Sequence, residues 1–299
     1  MYKIQQQLLI VILILFISVN AASQEKRSSV TETDNKIEKS NKKKKKKVKL
    51  PDIDLSHWSV TIPEGKPTVV EPPEILDYAN NETLKKFMYN DSVRGALVFY
   101  AVPNASTPNS KYSRSELREQ MVPGDNNVNW TFEQGGTMKG RLVMSEVSRD
   151  KNGKYHKVMV MQIHGRLTDE QRDLIGQKDN NAPPILKIYW DNGKVRIKTK
   201  ILKDTGASDI AILDKDAWGD DNGYNFKEEV GFKPFEIEVR VSKGKMVIVL
   251  NGSEFKTYKG VSINRWGIFE NYFKAGNYFQ SRDKGAYARV KYFELNATH

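Results

Sequence analysis

The chain has 299 residues, no cysteine and a formal net charge of +11. Without cysteine there is no disulfide framework, no thiolate metal site, no thiol nucleophile and no lipid-bearing N-terminal cysteine. The charge is unevenly placed: residues 24–50 hold eleven basic and four acidic side chains, Lys3 adds one more, and residues 51–299 carry only +3, which argues against a folded surface made for nucleic acid.

Residues 1–23 have the layout of a secretory signal. Lys3 is followed by ten unbroken apolar residues at 8–17 and by small residues at Ala21, Ala22 and Ser23. Ten residues fall short of the roughly 20 that a membrane span needs. A secreted protein, extracellular or periplasmic, with no membrane span in its mature form is therefore expected. Residues 24–50, with lysine at every position of 42–47, are too polar to bury surface and read as a disordered linker. The export signal favours a solvated spacer over a nuclear-localisation or nucleic-acid patch.

From residue 51 to residue 299 the texture is that of one all-β domain. Short alternating segments at 96–102, 137–147, 157–164, 185–190, 194–201, 272–280 and 288–295 read as strands, and 235–241 with 245–250 as a hairpin around Ser242-Lys243-Gly244. The span 74–88 is the best helix candidate, or a loop with one helical turn. Many short strands and little helix predict a sandwich or barrel.

Three segments carry unusual polar faces. Period-two alternation puts Arg114, Glu116 and Arg118 on one side of 112–120. In 157–164 it groups Val158, Val160, Gln162 and His164 against Met159, Met161 and Ile163. In 271–280 it groups Tyr272, Lys274, Gly276, Tyr278 and Gln280. Singly, each has a bland explanation: a surface ion pair, a structural histidine, tyrosine as a good strand former. Together they supply cations for carboxylates, an amide for neutral hydrogen bonds, and phenols for a sugar face and proton transfer.

These segments read RSELR (114–118), QIH (162–164) and YFKAGNYFQ (272–280). They resemble, in order and rough spacing, the three signature blocks of the alginate lyases of polysaccharide lyase family 7. DLSHWSVTIP (54–63) is similar to that family's opening strand, so the likeness spans about 54–296. The resemblance implies a jelly-roll β-sandwich of two antiparallel sheets with a concave substrate cleft. It also implies a polyuronate, alginate, as the partner. Arg114, Gln162, His164 and Tyr278 match the catalytic set; Glu116, Arg118, Lys274 and Gln280 match residues that shape or line the cleft, and Tyr272 joins them as a candidate for substrate binding. Ile163 between Gln162 and His164 follows the pattern that accompanies action on guluronate-containing stretches.

No cofactor or metal is expected: Arg and Gln can neutralise a carboxylate unaided, and His57, His156, His164 and His299 have no metal-ligand spacing. A monomer acting internally on the polymer is expected, although 168–184 and 203–226 are long enough to roof a cleft. Two rival readings stay open on sequence. Glu236 and Glu238 could serve a glycoside hydrolase on a similar sandwich, or the domain could be a non-catalytic module that binds acidic polysaccharide.

Overall fold

Alternation decides which side of each strand is buried. In Phe235–Ser242 (FEIEVRVS) the residues Phe235, Ile237, Val239 and Val241 are buried while Arg240 and Ser242 are exposed. The computed structural model describes residues 49–107 and 110–299; the secretory-signal reading, and all but the last two residues of the linker, lie outside them. Two sheets result.

The eight-stranded sheet runs, in spatial order, Glu254–Lys259, Lys245–Leu250, Phe235–Ser242, Gly136–Val147, Ala288–Thr298, Ala96–Ala101 and Met88–Asp91, with Asp52–Ile53 added alongside Ala288–Thr298. The ten-stranded sheet runs Trp218–Asp220, Lys194–Leu202, Asn181–Asp191, Val158–Arg166, Glu270–Phe279, Arg114–Glu119, Trp58–Ile62 and Thr68–Val70. Tyr224–Glu229 pairs with Lys194–Leu202, and Trp130–Thr131 with Glu270–Phe279. All pairings but that of Asp52–Ile53 are antiparallel, as a jelly-roll β-sandwich requires. The core between the sheets is anchored by Phe99, Trp130, Trp190, Trp266, Phe273 and Tyr292. Each fully buried large side chain contributes roughly 1.5–3 kcal/mol.

The structure corrects three sequence readings. The span 74–88 is not a helix but two 3-10 turns, Glu74–Asp77 and Leu84–Lys86, leading into the strand Met88–Asp91. The Asn81 side chain accepts hydrogen bonds from the amides of Thr83 and Leu84, so it starts a new turn where a helix would continue. The span 203–226 is not an open loop. Ile212, Leu213 and Trp218 are buried, and Trp218–Asp220 and Tyr224–Glu229 extend the ten-stranded sheet.

The third correction concerns the strand Val158–Arg166. Its alternation breaks at a bulge: both neighbouring strands shift register between Met161 and Met159. Val158, Val160 and Met161 all join the core, and Met159 comes to lie opposite Tyr278 and Tyr189. Val160 therefore does not share a face with Gln162, as strict alternation had it. The irregularity is clamped from the other sheet. The Tyr292 hydroxyl donates to the Val160 carbonyl at 2.6 Å and accepts from the Gly276 amide at 3.2 Å.

Candidate active site

Three adjacent strands bring the polar residues together. Lys274 pairs with Arg118 on one side and Gln162 on the other; Tyr278 pairs with Arg114; Tyr272 pairs with His164. Gly276 lies opposite Glu116 with φ of +138°, and a Cβ there would fall 2.7 Å from the Ser115 carbonyl oxygen. Only glycine permits that close approach of the two strands.

Glu116 is the hub. Its side chain has no solvent exposure, yet it holds three partners. Oε2 takes Arg114 Nη1 at 3.0 Å and Lys274 Nζ at 2.6 Å; Oε1 accepts from Gln162 Nε2 at 2.5 Å. Burial alone would raise its pKa, but the charges of Lys274 and Arg114, with hydrogen bonds from Lys274 and Gln162, outweigh burial and hold the carboxyl below its ordinary range. Burial, with Arg114 nearby, pulls the Lys274 ammonium down to about 8 against the attraction of Glu116.

Two arginine–tyrosine stacks flank this hub. The Arg114 guanidinium lies 3.9 Å over the Tyr278 ring, and that of Arg118 lies 4.0 Å over the Tyr272 ring. Tyr272 stacks in turn on His164, with ring centroids 5.2 Å apart and planes 14° from parallel. Arg118 is fixed by the carbonyls of Glu119 and Asn126 and by the Asn129 side chain. The Gln280 amide donates to the Tyr278 carbonyl at 3.0 Å.

His164 Nδ1 sits 3.0 Å from the Gly165 carbonyl. A carbonyl can only accept, so Nδ1 carries the proton and Nε2 keeps its lone pair. Burial, then the charge of Lys274 and to a lesser degree that of Arg114, push the imidazole down to about 3, so it is neutral across the physiological range.

The sequence reading missed Ser110. Its hydroxyl lies 2.8 Å from the Tyr278 hydroxyl, accepts from Arg114 Nη2 at 2.8 Å and donates to the Tyr112 carbonyl at 2.9 Å. Nothing in the sequence marks it beyond its place just before the first signature segment. Tyr189, buried and opposite Met159, was read only as part of a strand.

Arg114, Gln162, His164, Tyr278, Glu116, Arg118, Tyr272, Lys274 and Gln280 thus fall on three consecutive strands or just beyond them. Among the described residues no hydrogen bond joins His164 directly to Tyr278: His164 stacks on Tyr272, and Tyr278 lies under Arg114, which is tied through Glu116 to Gln162. Three cations against the single carboxylate of Glu116 make this face an anion site. The same described residues hold no cluster of His, Asp and Glu fit for a metal ion. Glu236 and Glu238 lie on the other sheet, paired to Lys139 and Arg240 as a charged surface ladder.

A family model described as "Alginate lyase" matches residues 53–299. Among solved structures, a variant of the family 7 alginate lyase A1-II′ with product (GGG) has a TM-score of 0.67 and 28% identity, covering 83% of this chain and 97% of that one. The same lyase, described as a member of polysaccharide lyase family 7, gives 0.66 and 29% over 83% and 96%. The alginate lyase of Pseudomonas aeruginosa shares the fold, with a TM-score of 0.60 and 21% identity over 83% and 100%. A comparison with curated protein sequences gives no significant match. The chain belongs to the alginate lyases of polysaccharide lyase family 7.

Proposed function

We propose that this alginate lyase is an exported, endo-acting enzyme that prefers guluronate-containing stretches, with Arg114, Gln162, His164 and Tyr278 as its catalytic residues. The observation that carries the residue assignment is the buried Glu116 carboxylate, which holds Arg114, Lys274 and Gln162 in one fixed array between His164 and Tyr278.

Elimination on a 4-linked uronate removes the proton at C5, forms the C4–C5 double bond and breaks the bond from C4 to the leaving oxygen. The C5 proton is barely acidic while the adjacent carboxylate keeps its full charge. Arg114 and Gln162 neutralise that carboxylate, so it can accept the charge that develops in the transition state. The Gln162 amide keeps one N–H for this role while the other binds Glu116. His164 Nε2 takes the proton, and Tyr278 protonates the leaving oxygen. Where the C5 proton and the leaving oxygen share one side of the ring, as in mannuronate, Tyr278 serves as both base and acid. Bringing a uronate carboxylate against Arg114 and Lys274 offsets the two charges that depress His164, so substrate itself strengthens the base.

Glu116 exposes no surface and acts as the counterion that positions the donors. Tyr272 and Arg118 support the His164 ring, and Lys274 adds attraction for the polyanion. The guluronate preference rests on Ile163 and on the A1-II′ complexes with GGG and GGMG, the latter made with a histidine-to-asparagine and tyrosine-to-phenylalanine variant. Export rests on residues 1–23.

The test is incubation with separated polymannuronate and polyguluronate, following near-ultraviolet absorbance of the new double bond. Faster cleavage of polyguluronate, with long oligomers among the earliest products, is expected. A mannuronate preference would overturn the specificity, and release of single sugars from the start would overturn endo action. Tyr278→Phe is expected to abolish cleavage while polymer binding persists. Export is checked by the N-terminus of the mature protein, expected just after residue 23.

A further inference from the structure

The polar face of the ten-stranded sheet does not end at the catalytic strands. The register runs from Tyr278 to Met159, Tyr189 and Arg196, one strand at a time. Three strand spacings amount to about 14 Å. Tyr189 bridges the gap, with Lys157 Nζ 5.4 Å from its ring centroid. Beyond it lies a groove of about 470 Å³ lined by Lys154, Lys157, Lys194, Arg196 and Lys198, with Asp191 as its one acidic residue.

Asp191 is committed to Lys157 at 2.9 Å. Lys154, Lys194, Arg196 and Lys198 have no carboxylate partner among the described residues; Arg196 is held by Asn225 and the Asn222 carbonyl. Positions 194, 196 and 198 alternate along one strand, so their charges project from one face. The buried Val195 and Ile197 fix that orientation. Lys187, which pairs in register with Gln162 on one side and Lys198 on the other, shares the carboxylate of Asp220 with Lys200. Four cations without a carboxylate partner lining one groove repel each other, in a segment (51–299) whose net charge is only +3. An incoming polyanion removes that repulsion.

We propose that this groove is a distal subsite that binds carboxylates of the same polyuronate chain several sugars away from the bond being cut. The inference rests on the catalytic reading above, because the chain must cross Tyr278 and Tyr189 to reach it. Its consequence is length-dependent affinity: a long chain occupies centre and groove together, and a short oligomer occupies the centre alone.

The test compares full-length wild type with the triple variant Lys154→Gln, Lys194→Gln, Lys198→Gln. These lysines make no ion pair, so the fold is expected to be kept. A charge-matched control carries Lys233→Gln, Lys245→Gln and Lys259→Gln, exposed positions elsewhere. For the polymer, KM of the groove variant is expected to rise about tenfold with kcat within about twofold, and the salt dependence of kcat/KM to flatten. KM for the shortest cleavable oligomer is expected to stay unchanged, and the control to match wild type. An unchanged polymer KM, an equal rise for the short oligomer, or an equal effect in the control would each overturn the subsite. Wild type that releases no unsaturated product from any polyuronate would instead overturn the catalytic reading.

Discussion

The Tyr278 hydroxyl rests 2.8 Å from the Ser110 hydroxyl. Ser110 has one proton, and the Tyr112 carbonyl 2.9 Å away can only accept it. Ser110 therefore receives the Tyr278 proton, along with that of Arg114 Nη2. In the free enzyme Tyr278 is held by its own proton, with Arg114 stacked on its ring.

Ser110→Ala is expected to lower kcat about tenfold, the worth of one hydrogen bond of about 1–1.5 kcal/mol, and to leave KM nearly unchanged. Ser110→Thr, which keeps the hydroxyl, is expected to restore most of the loss. A rise in KM with kcat unmoved would leave Ser110 a merely structural residue.

Glu116 is expected to tie stability to acid. Its folded pKa lies below the unfolded 4.5, so its contribution is present above that value and fades as pH falls through the lower folded value. Glu116→Ala strands Arg114 and Lys274 as buried, uncompensated charges, a loss of roughly 3–5 kcal/mol. Glu116→Gln keeps the shape and is expected to cost less, while flattening the acid limb of stability. Urea midpoints from pH 3 to pH 7 (roughly the carboxylate range) decide this; a wild-type limb retained in Glu116→Gln would assign it to another carboxylate.

The pH dependence of kcat/KM reports the free enzyme. His164 titrates at about 3, so no limb is expected near the ordinary 6.5. Lys274 loses its charge above about 8, and attraction for the polyanion is expected to fall there. The sign is that of a base depressed by burial: below about 8 it is charged in both folded and unfolded states, and between 8 and its ordinary 10.5 only the unfolded chain binds the proton. Lys274→Arg is expected to push the alkaline limb upward. A limb unmoved in that variant would belong to another group.

How much of this was legible in sequence follows from what alternation can report. Arg114, Glu116 and Arg118, or Tyr272, Lys274 and Tyr278, stand on strands that pair with each other without a register shift, so counting by two finds their common face. The same count fails across Val160, because a bulge is a property of a strand's neighbours and not of its own residues. The edge strands Thr68–Val70 and Trp218–Asp220 are too short to show a period. Ser110 was invisible because its partner is 168 residues away. Residue types placed Glu116 on one face with Arg114 and Arg118; only the fold shows it sealed from solvent and ion-paired to Arg114 and Lys274.

The Tyr292 hydroxyl gives a last prediction, because it joins a distant core residue to catalysis. It satisfies both the Val160 carbonyl and the Gly276 amide, the backbone groups that the bulge leaves unpaired between the strand of Gln162 and the strand of Tyr278. Tyr292→Phe preserves the ring that packs edge-on against Phe99 and removes only that clamp. Each buried group left unsatisfied costs about 1–3 kcal/mol, roughly 2–6 kcal/mol for the two, so the thermal midpoint is expected to drop by about 10 °C. If the clamp also sets the spacing of Gln162 and Tyr278 across one sugar, kcat is expected to fall more than KM rises. A loss of stability with kcat intact would confine Tyr292 to the core. Gly276→Ala attacks the same place harder: its Cβ would meet the Ser115 carbonyl at 2.7 Å and the Glu116 Cα at 2.9 Å. Backbone on the opposite strand cannot yield as a side-chain tip can, so Glu116 would move with it, and activity is expected to vanish in whatever fraction still folds.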